Sequence, residues 1–332
     1  MSLTDYPAPE TSTPSIRLLS VVVPVYNEEE GIEELHRRLS AVMETIPMCW
    51  EIVYVNDGSR DRSVEILHQL REKDDRVAVV DLSRNFGKEI AMTAGLDLAR
   101  GDAVVVIDAD LQDPPELIPE FVKHWTEGYD VIYAKRVKRE GETLVKRTTA
   151  HLFYRLIRKM SEVNIPEDTG DYRLLSRRAV DSLKRLRERH RFMKGLFAWI
   201  GYHQKEVPYT RDARYAGQTK WNYWRLWNFA LEGITSFTSV PLKLATYIGF
   251  VIALGAFLYA AKVIYDTLVY GNPVAGYPSL LVVILFLGGV QLITLGFIGE
   301  YLARMFDESK GRPLYLIKNY IPSGYGDADS KQ

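Results

Sequence analysis

Cysteine is almost missing from this chain: Cys49 is the single one in 332 residues. That excludes an intramolecular disulfide and fits a reducing compartment. An excess of charge of either sign is missing too, because 42 basic residues stand against 43 acidic ones for a net charge of −1. The overall balance therefore gives no reason to expect nucleic acid as a partner. No G-x-G-x-x-G follows the first strand-like run and no G-x-x-x-x-G-K-[ST] occurs, which argues against a dinucleotide-binding oxidoreductase and a P-loop ATPase. Long apolar runs are absent up to about Leu231, and residues 1–16, rich in Pro, Ser and Thr, lack the apolar core of a signal peptide. They are expected to form a disordered leader.

The composition changes after Pro241. Leu244 to Tyr265 carries only Lys262 as a charge, and Tyr277 to Gly299 carries none. Each meets the requirement of about 20 predominantly apolar residues for a helix that crosses the hydrocarbon core. The connection between them, 266–276, is short and contains Gly-Asn-Pro, so a transmembrane hairpin over 241–306 is expected, with both large flanks on one side. Lys220, Arg225, Lys243, Arg304, Lys310, Arg312 and Lys318 lie around those flanks, while the short connection has no Lys or Arg. The positive-inside rule then puts residues 17–220 and the tail 307–332 in the cytoplasm. Gly288, Gly289 and Gly299 in the second span would permit close helix packing, so a homo-oligomer is a possible partner state.

The soluble part alternates strands and helices. Leu18 to Val25 is a continuous apolar run closed by Tyr26-Asn27-Glu28, followed by a helix from about Glu29 to Ile46. Glu51 to Val55 ends in Asn56-Asp57-Gly58-Ser59, with Asp61 as a cap for a helix to Lys73. A strand over Arg76–Leu82, a helix over Lys88–Ala99, a strand ending at Asp108, a helix over Pro115–Glu127 and a strand over Asp130–Ala134 complete the pattern. Such alternation implies right-handed crossovers and a doubly wound α/β fold with a mostly parallel sheet. On such a sheet the strand ends share one edge, where ligands collect. Three of them here are polar clusters: 26–28, 57–59 and Asp108-Ala109-Asp110. Two carboxylates one residue apart at the end of a buried strand supply hard oxygen ligands for Mg²⁺ or Mn²⁺ shared with phosphates. The plainer alternative is an acidic turn that caps the next helix.

Taken in order on strand ends, Val21-Val22-Val23-Pro24-Val25-Tyr26-Asn27-Glu28, Asn56-Asp57-Gly58-Ser59 and Asp108-Ala109-Asp110 with Leu111-Gln112-Asp113-Pro114-Pro115-Glu116 resemble the family 2 glycosyltransferases, whose fold is of the glycosyltransferase A type. Further strings extend the likeness to about Ile317: Asn85-Phe86-Gly87-Lys88, Gly170-Asp171-Tyr172-Arg173-Leu174, Arg191-Phe192-Met193-Lys194-Gly195, Gly217-Gln218-Thr219-Lys220-Trp221 and Gly299-Glu300-Tyr301. These look like the polyprenyl-phosphate branch, most of all the bactoprenol-phosphate glucosyltransferases, and they are similar to dolichyl-phosphate mannose synthases. The resemblance implies a nucleotide sugar donor such as UDP-glucose, a divalent metal, a polyprenyl phosphate acceptor such as undecaprenyl phosphate, inversion at the anomeric carbon and a bacterial inner membrane.

Carried over residue by residue, the resemblance gives Pro24, Tyr26, Glu28 and Asp57 to the donor nucleoside. It places Asp108 near the ribose or metal-bound water, Asp110 on the metal and Gln112 as a second metal ligand. Asp171 resembles the residue assigned as catalytic base. A phosphate monoester with its second pKa near 6 needs little deprotonation at neutral pH, so orienting the acceptor is an equal expectation, and a helix cap ahead of Arg177 and Arg178 is the structural alternative. A dianionic acceptor beside a diphosphate requires cations. Arg211, Arg214 and Lys220 are the first candidates and Arg191 and Lys194 the second, although the former would also suit a membrane-surface patch. Trp221, Trp224, Trp227 and Phe229 lie in a segment, 221–240, expected as an interfacial amphipathic helix. Residues 135–146 fit either a solvated loop or a lid. Other readings are transfer of mannose or an aminosugar to the same lipid class, a processive polysaccharide synthase, for which the Gln-x-x-Arg-Trp string is missing, and a non-catalytic membrane scaffold.

Overall fold

Buried β-branched runs set the centre of the molecule. The computed structural model describes residues 17–137, 169–189, 191–210 and 276–326, together with scattered helical positions between 251 and 270. β1 (Leu18–Val25), β2 (Cys49–Asn56), β3 (Val77–Leu82) and β4 (Ala103–Val106) pair in the order β3-β2-β1-β4, every contact parallel. Nearly every side chain in these strands is buried, as expected where helices cover both faces. α1 (Ile32–Met43), α2 (Ser63–Lys73) and α4 (Ile118–Thr126) pack on one face through Leu35, Leu67 and Phe121. α3 (Lys88–Leu98), α5 (Arg177–Arg185) and α6 (Met193–Trp199) cover the other through Met92, Val180 and Phe197.

The expected parallel sheet is thus present at the centre, and the flanks depart from it. β6 (Thr169–Ser176) inserts antiparallel between β4 and β5 (Val131–Arg136), and β7 (Gln204–Tyr209) adds parallel to β5. The helix cap weighed as the alternative for Asp171 is made elsewhere: Asp171 lies inside β6, and Ser176 accepts the Ala179 amide at the start of α5. The segment Pro115–Glu127 opens as a 3₁₀ turn before α4, with proline in the first turn, where its missing N–H costs nothing.

The second apolar stretch forms α7 (Tyr277–Ser309), 33 residues long and ten residues beyond the expected end at Gly299. Its portion Phe286–Ser309 is apolar and long enough to cross a membrane, with mean hydropathy 1.4 and none of it buried. Described positions between 251 and 270 are helical. The residues after α7 do more than a free tail would. β8 (Ile317–Ile321) joins the sheet antiparallel to β3 and covers an edge that would otherwise be open. The leader 1–16 and the segment 211–250, with its expected interfacial helix, lie outside the described residues.

Candidate active site

Three loops at the carboxyl edge of the parallel strands are stitched together. The Asn27 amide donates to Ser59 Oγ (3.0 Å), the Glu28 amide to Ser63 Oγ (3.0 Å) and the Arg60 amide to Asn27 Oδ1 (2.8 Å), which locks the end of β1 to the end of β2. Asp57 is 2 % exposed and accepts the amides of Phe86 (2.7 Å) and Gly87 (2.9 Å), which adds the loop after β3. Burial pushes the Asp57 carboxyl up even though both amides favour its charge. Gly58 makes the approach possible: its φ is +68°, and a Cβ there would stand 2.6 Å from the carbonyl carbon of Arg84 and the nitrogen of Asn85. Of the residues expected to read the nucleoside, Pro24 is buried in β1, Tyr26 is exposed beside it and Glu28 begins the turn into α1. Asp57 joins them, and the carboxylate expected to meet the base also holds two backbone amides.

Antiparallel insertion of β6 explains how Asp171 comes to this edge. Val106 pairs with Arg173, so two residues further along each strand Asp108 and Asp171 face each other. Lys88, the first residue of α3, fills the gap. Its Nζ donates to Asp171 Oδ2 at 2.5 Å and Asp108 Oδ2 at 2.9 Å, and it lies 2.7 Å from Asp108 Oδ1. Burial works against the ammonium, but the two carboxylates outweigh it and hold Lys88 well above the ordinary lysine value. For Asp171 burial is likewise overcome, by Lys88 first and Lys194 next, which keep its carboxyl well below the usual range.

Behind this pair sits a second charged layer. Arg173 donates to the carbonyls of Gly170 (2.8 Å) and Asp171 (3.3 Å) and lies 3.7 Å over the Phe197 ring, which fixes the backbone that carries Asp171. Burial pulls Arg173 down to about 10. Glu89 accepts the Met193 amide at 3.2 Å; burial, then the charge of Asp171, pushes its carboxyl up to about 8. Lys194 belongs to this layer, drawn down by burial and held up in part by Asp171 and Glu89. Arg191 does not: its guanidinium is bonded to the Leu186 carbonyl and lies 3.6 Å from Met193 Sδ, with Nε buried and unbonded. These contacts brace the loop before α6.

The Asp-x-Asp turn is strained. Leu111 has φ +57°, a conformation that costs a non-glycine residue of order 1–3 kcal/mol, and its side chain is buried in the core. Asp110 Oδ1 accepts the Gln112 amide at 3.2 Å, so Gln112 is turned onto Asp110 through its backbone. Tyr209 donates to Asp113 at 2.5 Å and Tyr172 to the Pro114 carbonyl at 2.8 Å, which anchors the turn to β6 and β7. The helix-cap alternative for this acidic pair fails, since no side chain caps the helical segment that follows.

The carboxylates of this edge are oxygen ligands of the kind that suits a divalent cation. Asp171 Oδ1 is buried and accepts no hydrogen bond, and Asp108 Oδ1, also buried, has the Lys88 ammonium 2.7 Å away, the place a divalent cation would have to take. Among the described residues no three of His, Cys, Asp and Glu form a complete cage, so a divalent ion held by Asp108 and Asp110 would take its other ligands from phosphate and water, as Mg²⁺ commonly does. A hollow of about 650 Å³ lies outside α1 and α4 among Arg37, Arg38 and Glu116 and touches none of these carboxylates. A smaller one of about 210 Å³ backs the turn after β2, lined by Asn56, Ser59, Asp81, Arg84 and Lys318.

Lys88, Glu89 and Arg173 received no role from the sequence alone. The signal was present in the Asn85-Phe86-Gly87-Lys88 string, which ends the third strand as the other clusters end theirs. Arg211, Arg214 and Lys220 lie outside the described residues.

A strand-edge site of three aspartates and a lysine, on this sheet order, agrees with what comparison of the whole chain gives. The family model for glycosyl transferase family 2 matches residues 20–184. The bactoprenol glucosyl transferase of Shigella phage SfV is 52% identical over 301 residues, 91% of this chain and 98% of that protein. An uncharacterized glycosyltransferase of Synechocystis sp. is 55% identical over 309 residues, 92% of this chain and 97% of that one. The chain belongs to glycosyl transferase family 2. Among solved structures, mannosyl-3-phosphoglycerate synthase from Rubrobacter xylanophilus aligns at a TM-score of 0.46 with 19% identity, over 66% of this chain and 72% of that one.

Proposed function

We propose that this protein transfers a single glucose from UDP-glucose to undecaprenyl phosphate, with inversion, at the cytoplasmic face of a bacterial inner membrane. The observation that carries the reading is the meeting of Asp108 and Asp171 around Lys88 at one strand edge, with Asp110 two residues beyond Asp108 in sequence, in a chain whose apolar helix is tied back to the same domain. The similarity to a bactoprenol glucosyl transferase along nearly its whole length supports the acceptor and the sugar. An acceptor whose isoprenoid tail stays in lipid requires an enzyme at the bilayer surface, and the apolar stretches 244–265 and 277–299 would supply a two-span anchor.

In this reading Tyr26, Glu28 and Asp57 hold the nucleoside, and Asp108, Asp110 and Gln112 hold a Mg²⁺ or Mn²⁺ ion on the diphosphate. When bound, that ion supplies Lewis-acid stabilisation of the charge on the departing diphosphate. A phosphate oxygen of the acceptor attacks the anomeric carbon as the bond to the donor phosphate breaks, and UDP leaves. Asp171, held ionised by Lys88 and Lys194, is a poor proton acceptor, so its work is to orient the acceptor and sugar. Lys194, with Arg211, Arg214 and Lys220, offsets the charge of the incoming phosphate.

The test is purified full-length protein assayed with radiolabelled UDP- and GDP-sugars and undecaprenyl phosphate, with and without EDTA. A single-sugar lipid formed from UDP-glucose and lost with EDTA is expected. No glycolipid from any donor would overturn transfer; mannose or an aminosugar as the transferred group would overturn the sugar, and a polymer the single addition. Asp110→Asn should lower turnover at least about 100-fold, the scale seen when a stabiliser of transition-state charge is removed, while leaving the protein folded and membrane-bound.

A further inference from the structure

The ammonium of Lys88 stands between two carboxylates that, on the reading above, serve different substrates. Asp108 closes β4 on the donor side and Asp171 opens β6 on the acceptor side, and Lys88 Nζ lies within 2.9 Å of both. A metal ion approaching Asp108 meets that ammonium first. Its presence lowers the charge available to a divalent cation and occupies Asp108 Oδ2 with a hydrogen bond. The backbone beneath Lys88 is fixed, because Asp57 grips the amides of Phe86 and Gly87. The side chain is another matter: it is 45% exposed, and its four-carbon stem can swing. Of the other cations around the pair, Arg173 is committed to the carbonyls of Gly170 and Asp171, while Lys194 adds its charge at Asp171 and Arg136 at Asp108; Lys88 is the one whose ammonium bridges both carboxylates among the described residues.

We propose that Lys88 is an exchangeable counter-ion: it neutralises the Asp108–Asp171 pair in the resting protein, yields Asp108 when a metal-bound donor arrives, and then turns to Asp171 and the acceptor phosphate. Donor binding therefore precedes and strengthens acceptor binding. The inference rests on the assignment of Asp108 to the metal-bound donor, and it makes Lys88 a positioning residue for both substrates.

The test uses the full-length protein in detergent and Mn²⁺ alone as the probe, measured by calorimetry or electron paramagnetic resonance. Lys88→Met should bind Mn²⁺ about 10-fold more tightly than wild type without nucleotide, the scale of removing one positive charge a few ångströms away in a half-exposed site. Lys88→Arg, which keeps a cation on the pair, should stay within about 2-fold of wild type. Should Lys88→Met fail to fold, Lys88→Gln tests the same tightening. Unchanged or weaker Mn²⁺ binding in the neutral variant overturns the proposal, because a merely structural lysine would leave the metal site the same or worse. The second arm measures undecaprenyl phosphate binding with and without Mn²⁺ and UDP: strengthening in wild type that is lost in the neutral variant is expected, and equal binding in wild type overturns the ordering. Neither arm needs turnover, so a wild type that makes no glycolipid while the neutral variant gains Mn²⁺ affinity sinks the transferase reading and upholds the exchange.

Discussion

Glu89 carries the sharpest prediction at the residue scale. Its carboxyl is pushed up to about 8 in the folded protein against an ordinary value near 4.3, so the folded state binds the extra proton between these limits. Stability from this group is complete below about pH 4 and is lost as pH rises through about 8. Glu89→Gln, which keeps an acceptor for the Met193 amide, should flatten the fall in melting temperature between pH 5 and 8.5, followed by intrinsic fluorescence in detergent. Asp171 has the opposite perturbation, held well below the usual range, and cannot be the group whose protonation shuts off transfer near neutrality. The acidic limb of the rate profile should fall near pH 6, where the acceptor phosphate gains its proton, and Asp171→Asn should lower turnover without moving that midpoint. Gly58→Ala places a Cβ where backbone already stands, at a positive φ. A cost of at least about 1–2 kcal/mol from the left-handed conformation alone, with weakened UDP binding by calorimetry, is expected.

At the scale of elements, legibility followed burial. β1 to β4 and their helices could be read because buried parallel strands are continuous apolar runs with polar ends, and the carboxylates on those ends were legible for the same reason. β6 was hidden, since Thr169–Ser176 mixes Asp171, Tyr172 and Arg173 into a strand whose charges are satisfied only by tertiary partners such as the Gly170 carbonyl and the Phe197 ring. Lys88 escaped assignment because its meaning depends on a register between β4 and β6 that no local pattern encodes. β8 escaped because Ile317–Ile321 is short, half polar and far in sequence from its partner β3. The contacts around it are nonetheless dense. Ser323 is 2 % exposed and donates to Glu51 at 2.6 Å, Glu51 also accepts from Ser20 and Arg100, and the Gly324 amide donates to the Asp75 carbonyl at 2.7 Å. Ser323→Ala should cost about 1 kcal/mol. A chain ended at Lys310 should lose on the order of 10 °C in melting temperature or aggregate through the bared β3 edge, seen by size exclusion and thermal melts.

Across the whole molecule, the length of α7 sets a geometry. At 1.5 Å per residue its 33 residues reach about 50 Å, some 20 Å more than a hydrocarbon core of about 30 Å. The surplus carries Glu300, Arg304, Asp307 and Glu308, and Glu308 accepts the Arg189 amide at 2.6 Å, which ties the polar end of the helix to the loop after α5. With Cys49 replaced by serine, a cysteine placed at Asn272 should react with an impermeant maleimide in intact cells, whereas one at Ser330 should react only after permeabilisation; the reverse pattern would invert the proposed topology. The return of residues 311–326 to the sheet has a bearing on biosynthesis. β8 is made after α7, whereas its partner β3 precedes β8 by more than 230 residues. The nascent domain must therefore wait with one sheet edge unpaired while those residues are added, so closure of the sheet comes only after α7 has been made.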